Sequence, residues 1–66
     1  MDLFETIKKY TINNIGVGSY APMPNELAAQ FNTLVGQDRY DFGHNLACCG
    51  IQIATHQGDL YILRGK

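Results

Sequence analysis

The sequence has few of the features that staple small proteins together or place them in a membrane. Only two of its 66 residues are cysteines, and they are adjacent, whereas disulfide-stapled secreted domains carry several spaced pairs. No apolar run approaches the ~20 residues that a membrane-spanning helix needs. The first five residues include two acids and no basic region, so we expect no secretory signal peptide and a cytoplasmic location.

Charged residues are also scarce, and neither sign dominates. They make up 17% of the chain, against about 25% in an average globular protein, and the formal net charge is −1. Only Lys8 and Lys9 are adjacent cations. Because nucleic-acid affinity depends on clustered cations that neutralise phosphates, this composition disfavours direct nucleic-acid binding.

Hydrophobic residues account for 45% of the chain, which is typical of a folded domain. We therefore expect residues 1–66 to form a single compact domain. A chain of this length buries only about 60% of its unfolded surface. Its stability is consequently marginal, or is shared with a partner or a second copy.

The N-terminal segment predicts a helix over about 2–13. Asp2 followed three residues later by Glu5 forms a capping box, and the apolar residues that follow have the spacing of one helical face. These apolar residues are Leu3, Phe4, Ile7 and Tyr10. The segment is also rich in β-branched and aromatic side chains, which leaves a strand as the alternative for residues 3–13.

A second helix is predicted over about 24–35, after a connection rich in glycine and proline. Pro24 suits the first helical position, and Gly36 suits the left-handed residue that follows a last turn. Residues 15–20, at the start of the connection, could add a third strand to a sheet.

The remainder of the chain predicts a loop followed by a C-terminal antiparallel hairpin, which makes the fold α+β. Residues 37–45 are polar and read as an ordered loop, and the hairpin strands lie at about 46–55 and 59–64. Cys48 and Cys49 would then point to opposite faces of a strand. Alternate residues of a strand face opposite sides of the sheet, and in Leu60–Leu63 the residues on both sides are apolar. This strand is therefore covered on two faces, or it leaves one face for another chain.

No motif in the sequence supports catalysis or metal binding. His44, Cys48, Cys49 and His56 lack the paired spacing of zinc ligands. A cysteine nucleophile would need a base, an orienting group and a walled cleft, for which a 66-residue chain has little room. We therefore expect a protein that is not an enzyme and that has no cofactor and no metal site.

Protein recognition is the function that the residue types favour. Aromatic and arginine side chains in low-charge patches are frequent interface anchors, and an exposed hairpin edge can pair with another strand. The candidate partner-binding residues are Tyr20, Met23, Arg39, Tyr40, Phe42 and Tyr61.

The chain is therefore interpreted as a small protein-binding module. It would act as a stoichiometric inhibitor that covers a surface of a larger protein or nucleoprotein complex. Small stand-alone inhibitors of this kind are typical of phages and mobile elements, and anti-CRISPR proteins are one such class. The alternative is a small homodimeric regulator or accessory subunit that pairs through the hairpin edge. A weak nucleic-acid binder is a third and less favoured interpretation. No membrane partner is expected.

Overall fold

The computed structural model describes residues 2–66 and has an α+β fold, as the sequence predicts. Helices come mainly first in the chain, and the two longer strands come last. The elements are α1 (Leu3–Asn14), β1 (Tyr20–Pro22), α2 (Asn25–Phe31), α3 (Gly36–Cys48), β2 (Ile51–His56) and β3 (Asp59–Arg64).

Helix α1 begins and ends close to its predicted bounds, and the strand alternative for this segment is wrong. The Asp2 carboxylate accepts a hydrogen bond from the Glu5 N–H at 2.8 Å, which caps the first turn. Ile7 and Thr11, one turn apart, are fully buried. The Thr11 hydroxyl donates to the Ile7 carbonyl at 2.8 Å, so a helix can bury this polar side chain without leaving it unpaired.

Helix α2 is shorter than the predicted helix over 24–35, because it ends at Phe31. Beyond Phe31 the chain tightens into three-residue turns, in which the Thr33 and Leu34 amides donate to the Gln30 and Phe31 carbonyls. The Thr33 hydroxyl also donates to the Gln30 carbonyl at 2.6 Å. This side-chain bond competes with the helical pattern and helps to end it.

Residues 37–45 form most of helix α3, so the predicted loop is wrong. Gly36 has a φ of 57° at the start of this helix, and does not serve as the C-terminal glycine of α2. Leu46 is fully buried and Phe42, one turn earlier, packs against the core. Tertiary packing of these two residues makes a polar segment helical.

The hairpin is shorter at its start than predicted, because β2 begins at Ile51 and residues 46–48 belong to α3. Cys48 and Cys49 therefore lie at the end of a helix, and the expectation that they alternate across a strand is wrong. Strand β3 has its predicted bounds. Gln57 and Gly58 both have positive φ, at 53° and 84°, which gives the two-residue turn whose twist suits a hairpin.

The three strands form an antiparallel sheet in the order β1-β3-β2. The predicted third strand exists, but it lies at Tyr20–Pro22 and not at residues 15–20. Ile15 instead enters the core. Leu60 and Ile62 point from β3 toward the helices and are buried. The core consists of Ile7, Ile15, Met23, Leu27, Phe31, Leu46, Ile51, Leu60 and Ile62.

Candidate functional site

The face of the sheet turned away from the core carries the most distinctive exposed surface. Side chains alternate along a strand, so the residues between the buried ones of β3 point outward together with their cross-strand neighbours. We call this surface the outer face. It consists of Tyr20, Gln52, Ala54, His56, Tyr61 and Leu63.

Tyr61 lies at the centre of the outer face, on the middle strand. Its ring meets the Tyr20 ring edge-to-face, with centroids 6.2 Å apart, and the His56 ring at 6.3 Å. Such T-shaped contacts are the favoured geometry for aromatic pairs. Tyr20 nevertheless keeps 70% of its surface exposed. The two tyrosines are thus held in place by each other and remain accessible.

A shallow depression of about 500 Å³ lies on the outer face, and among residues 2–66 only strand residues line it. These residues are Tyr20, Ala54, His56, Tyr61 and Leu63. The strand positions that form the outer face contribute no Lys, Arg or Glu, and Asp59 lies at its hairpin end. The outer face therefore offers aromatic and aliphatic contacts with few charges to desolvate.

The predicted binding residues of α3 lie on a different element from Tyr20 and Tyr61. The Arg39 guanidinium sits 4.5 Å above the centre of the Phe31 ring, where it covers the core. Phe42 packs edge-to-face against Phe31 at 5.7 Å and is half-buried. Tyr40 is 68% exposed and its ring stacks on that of His44, with centroids 6.3 Å apart.

Met23 is 5% exposed and belongs to the core, so the structure does not display it to a partner. Its amide donates to the Leu60 carbonyl at 2.9 Å, which continues the pairing of β1 with β3. Of the six residues proposed from the sequence, Tyr20 and Tyr61 meet on the outer face, whereas Arg39 and Tyr40 line a separate groove. Their partner-binding role stays a prediction.

Leu63, Ala54 and His56 are members of the outer face that sequence reasoning did not single out. The signal was present in Leu60–Leu63, where both alternating sets are apolar. That pattern left open whether the second set was covered. Tyr61 and Leu63 are half-buried, and no helix residue of the described part of the chain lines the depression beside them.

The histidines and cysteines do not converge on a metal site. His44 is on α3 and His56 is at the end of β2, while Cys48 is exposed and Cys49 is half-buried at the end of α3. Within residues 2–66, no group of three or more His, Cys, Asp or Glu side chains could hold a metal ion.

The helices of the described residues are too short or too polar to cross a bilayer. Comparison of the chain with protein-family models, with curated proteins and with solved structures gives no match.

Proposed function

We propose that this chain is a protein-binding module that docks its outer face on a larger protein or nucleoprotein complex. The observation that carries the proposal is the pair of exposed Tyr20 and half-buried Tyr61, on a sheet face whose depression is lined by strand residues. Tyrosine gives a large contact area with little conformational entropy to lose, and it is enriched among the residues that dominate binding energy.

The composition of the outer face supports a protein partner over a nucleic acid. Phosphate binding needs clustered cations, and the strand positions of the outer face supply none. Of the other cations, Arg39 covers Phe31, Arg64 donates to backbone carbonyls, and the adjacent Lys8 and Lys9 lie on α1. An aromatic and aliphatic patch with a polar rim is typical of the centre of a protein interface.

A chain of this size would act by occupying a surface, which makes stoichiometric inhibition the mode of action that we propose. An origin in a phage or mobile element, with the anti-CRISPR proteins as one example of such inhibitors, belongs to the same proposal. It is supported only by the small size of the chain and the lack of a catalytic motif in its sequence.

The test is capture of a partner by tagged chain from nuclease-treated lysate, followed by titration calorimetry with the purified partner. We expect a 1:1 complex for the wild type. The double variant Tyr20→Ala/Tyr61→Ala removes both anchors, and because interface hot spots each contribute about 2 kcal/mol or more, binding should become undetectable.

The matched control is Tyr40→Ala, which removes an equally exposed tyrosine from α3. This variant should bind as the wild type does. Binding retained by the double variant, or lost only in the Tyr40→Ala variant, would refute the outer face as the docking surface. The fold of each variant is checked by circular dichroism.

A further inference from the structure

A groove of about 490 Å³ lies between helix α3 and strand β2. It is lined from the helix by Arg39, Tyr40, Gly43 and His44 and from the strand by Ile53 and Thr55. Its volume is within the range of about 300–1,000 Å³ that ligand pockets have. The groove borders only the later part of β2, because Ile51 at the start of the strand is 3% exposed and does not line it.

The two strand residues in the groove have unpaired backbone groups. Gly50 and Gly65 form a hydrogen-bonded pair, in which the Gly65 amide donates to the Gly50 carbonyl at 2.7 Å. The bonds of an antiparallel ladder alternate, so Ile53 and Thr55 direct their N–H and C=O groups away from β3. No hydrogen bond within residues 2–66 uses these groups. Ile53 and Thr55 thus offer two donors and two acceptors to an added strand.

The helix contributes a cation to the groove. Among the described residues Arg39 is the only Lys or Arg that lines it, and no Asp or Glu does. The Arg39 guanidinium lies 4.5 Å from the centre of the Phe31 ring, and this contact holds it in place. Its one hydrogen bond in the described part of the chain, to Asn32 Oδ1, is 3.5 Å long and therefore weak. Most of its five N–H donors remain available to a carboxylate.

The connection between α3 and β2 determines which residues lie opposite each other across the groove. Only two residues join these elements, so the strand returns alongside the helix. With the usual rise per residue, Arg39 lies about 14 Å from the end of the helix, and Thr55 about 13 Å from the start of the strand. Gly43 and Ile53 lie closer to the junction, at about 8 and 7 Å. Arg39 is therefore opposite Thr55, and Gly43 is opposite Ile53.

We propose that the groove binds a short extended segment of a partner protein, in which an Asp or Glu comes two residues before an apolar residue. The segment pairs antiparallel with β2, as the strands of this sheet do with one another. Its acidic residue is opposite Thr55, so the carboxylate meets the Arg39 guanidinium. Its apolar residue is opposite Ile53, where Gly43 leaves room, because an added β-carbon there would meet no atom within 4 Å.

Charge complementarity selects this occupant. A cation with available donors, in a groove that no described carboxylate lines, favours an anionic ligand, and a carboxylate matches the planar fork of arginine. The backbone groups of Ile53 and Thr55 favour a polypeptide, and the burial of Ile51 keeps the segment short. The inference goes beyond the proposed function, because it concerns residues other than Tyr20 and Tyr61.

Titration with a blocked peptide, followed by NMR of the amides of the isotope-labelled chain, tests the proposal. The probe is acetyl-Thr-Glu-Thr-Val-Thr-amide, and the Ile53 and Thr55 amides should shift as it binds. The same peptide with Gln in place of Glu should bind about fivefold more weakly, because it loses the ion pair with Arg39. Unmoved Ile53 and Thr55 amides, or equal affinities of the two peptides, would overturn the proposal.

Two further peptides test the register. The reversed peptide acetyl-Thr-Val-Thr-Glu-Thr-amide has the same composition and charge, but cannot place its carboxylate opposite Thr55 in an antiparallel pairing. It should bind as weakly as the Gln peptide. Methylation of the valine nitrogen removes the N–H that would donate to the Ile53 carbonyl, and should also weaken binding. Unchanged affinity of either peptide would reject the antiparallel pairing.

A pair of variants locates the ion pair. In the Arg39→Met variant the Glu and Gln peptides should bind equally well. The control Lys9→Met removes the same charge from an exposed position on α1, and should keep the preference for Glu. A preference that survives Arg39→Met, or disappears in Lys9→Met, would mean that Arg39 does not bind the carboxylate.

The outer-face variant Tyr20→Ala/Tyr61→Ala separates this proposal from the proposed function. It should lose the partner described above and keep the affinity for the Glu peptide. Shifts of the Tyr61 and Leu63 amides in place of Ile53 and Thr55 would place the peptide on the outer face and reject the groove. Shifts of Ile53 and Thr55 when the chain alone is concentrated would make a second copy the occupant, which also overturns the proposal.

Discussion

Arg64 illustrates how a single residue joins parts of the chain that are distant in sequence. From the end of β3 its guanidinium donates to the carbonyl of Ile15 at 2.8 Å and approaches that of Ile12 at 3.4 Å. It also donates to the carbonyl of Lys66 at 2.8 Å. The carbonyls at the end of a helix have no partners within the helix, so a side chain from the sheet supplies donors to the end of α1.

The substitution Arg64→Met should lower the free energy of unfolding by about 1–3 kcal/mol, because it keeps an apolar stem and removes the charged donors. Urea unfolding followed by circular dichroism measures the loss. The comparison variant Arg39→Met removes the cation above Phe31, and should cost only about 0.5–1 kcal/mol. Equal effects of the two substitutions would show that Arg64 does not stabilise the end of α1.

At the scale of elements, α1 and α3 differ in how they are specified. Asp2 caps α1 locally, and its buried residues repeat at helical spacing. The residue before α3, Val35, makes no side-chain cap, and the helix contains Gly43. Helix α3 therefore depends on the contacts that Phe42 and Leu46 make in the core, and local sequence signals were not enough to predict it.

Gly43→Ala should stabilise the protein by about 0.5–1 kcal/mol, because a helical glycine loses more backbone entropy on folding than alanine does. The new methyl group would have open space around it. Thermal unfolding measures the gain. Gly50→Ala should instead destabilise the protein, because Gly50 has a φ of 82° and an added β-carbon would lie 2.7 Å from the β-carbon of Lys66. A loss of stability in Gly43→Ala would mean that α3 is not helical at this position.

At the scale of the whole molecule, the sheet divides a small number of apolar residues between a core and an outer face. Ile62 is fully buried at the middle of β3, while Leu63 beside it lies on the outer face and is half-buried. A domain of this size has a total stability of only about 3–5 kcal/mol. Neighbouring residues on the same strand should therefore respond very differently to truncation.

Ile62→Ala should remove half or more of the stability of the fold and raise the unfolded population, because a large-to-small substitution in a core costs about 2–5 kcal/mol. Leu63→Ala should leave the chain folded, with a smaller loss that reflects its half-burial. Near-ultraviolet circular dichroism and amide dispersion in NMR spectra report the folded population. The assignment of core and outer face would be contradicted if Leu63→Ala were the more damaging of the two.

Elements whose signals are local can be predicted from the sequence alone. Asp2 caps α1, Pro24 stands at the N-cap of α2, one residue before its predicted first helical position, and the turn at Gln57 and Gly58 sets the register of β3. Each of these signals acts within a few residues through hydrogen bonds or restricted backbone angles, so each can be read without knowing the fold. The α+β fold class followed from these elements.

Helix α3, the burial of Met23 and the outer face depend instead on contacts that form in the folded protein. Phe42 is held by Phe4 and Phe31, with ring centroids 6.0 and 5.7 Å away, and these contacts come from other helices. The outer face exists because β3 lies between β1 and β2, which brings Tyr20 against Tyr61. Such contacts join residues far apart in the chain, and their free energy outweighs the local preferences that alone can be read from sequence.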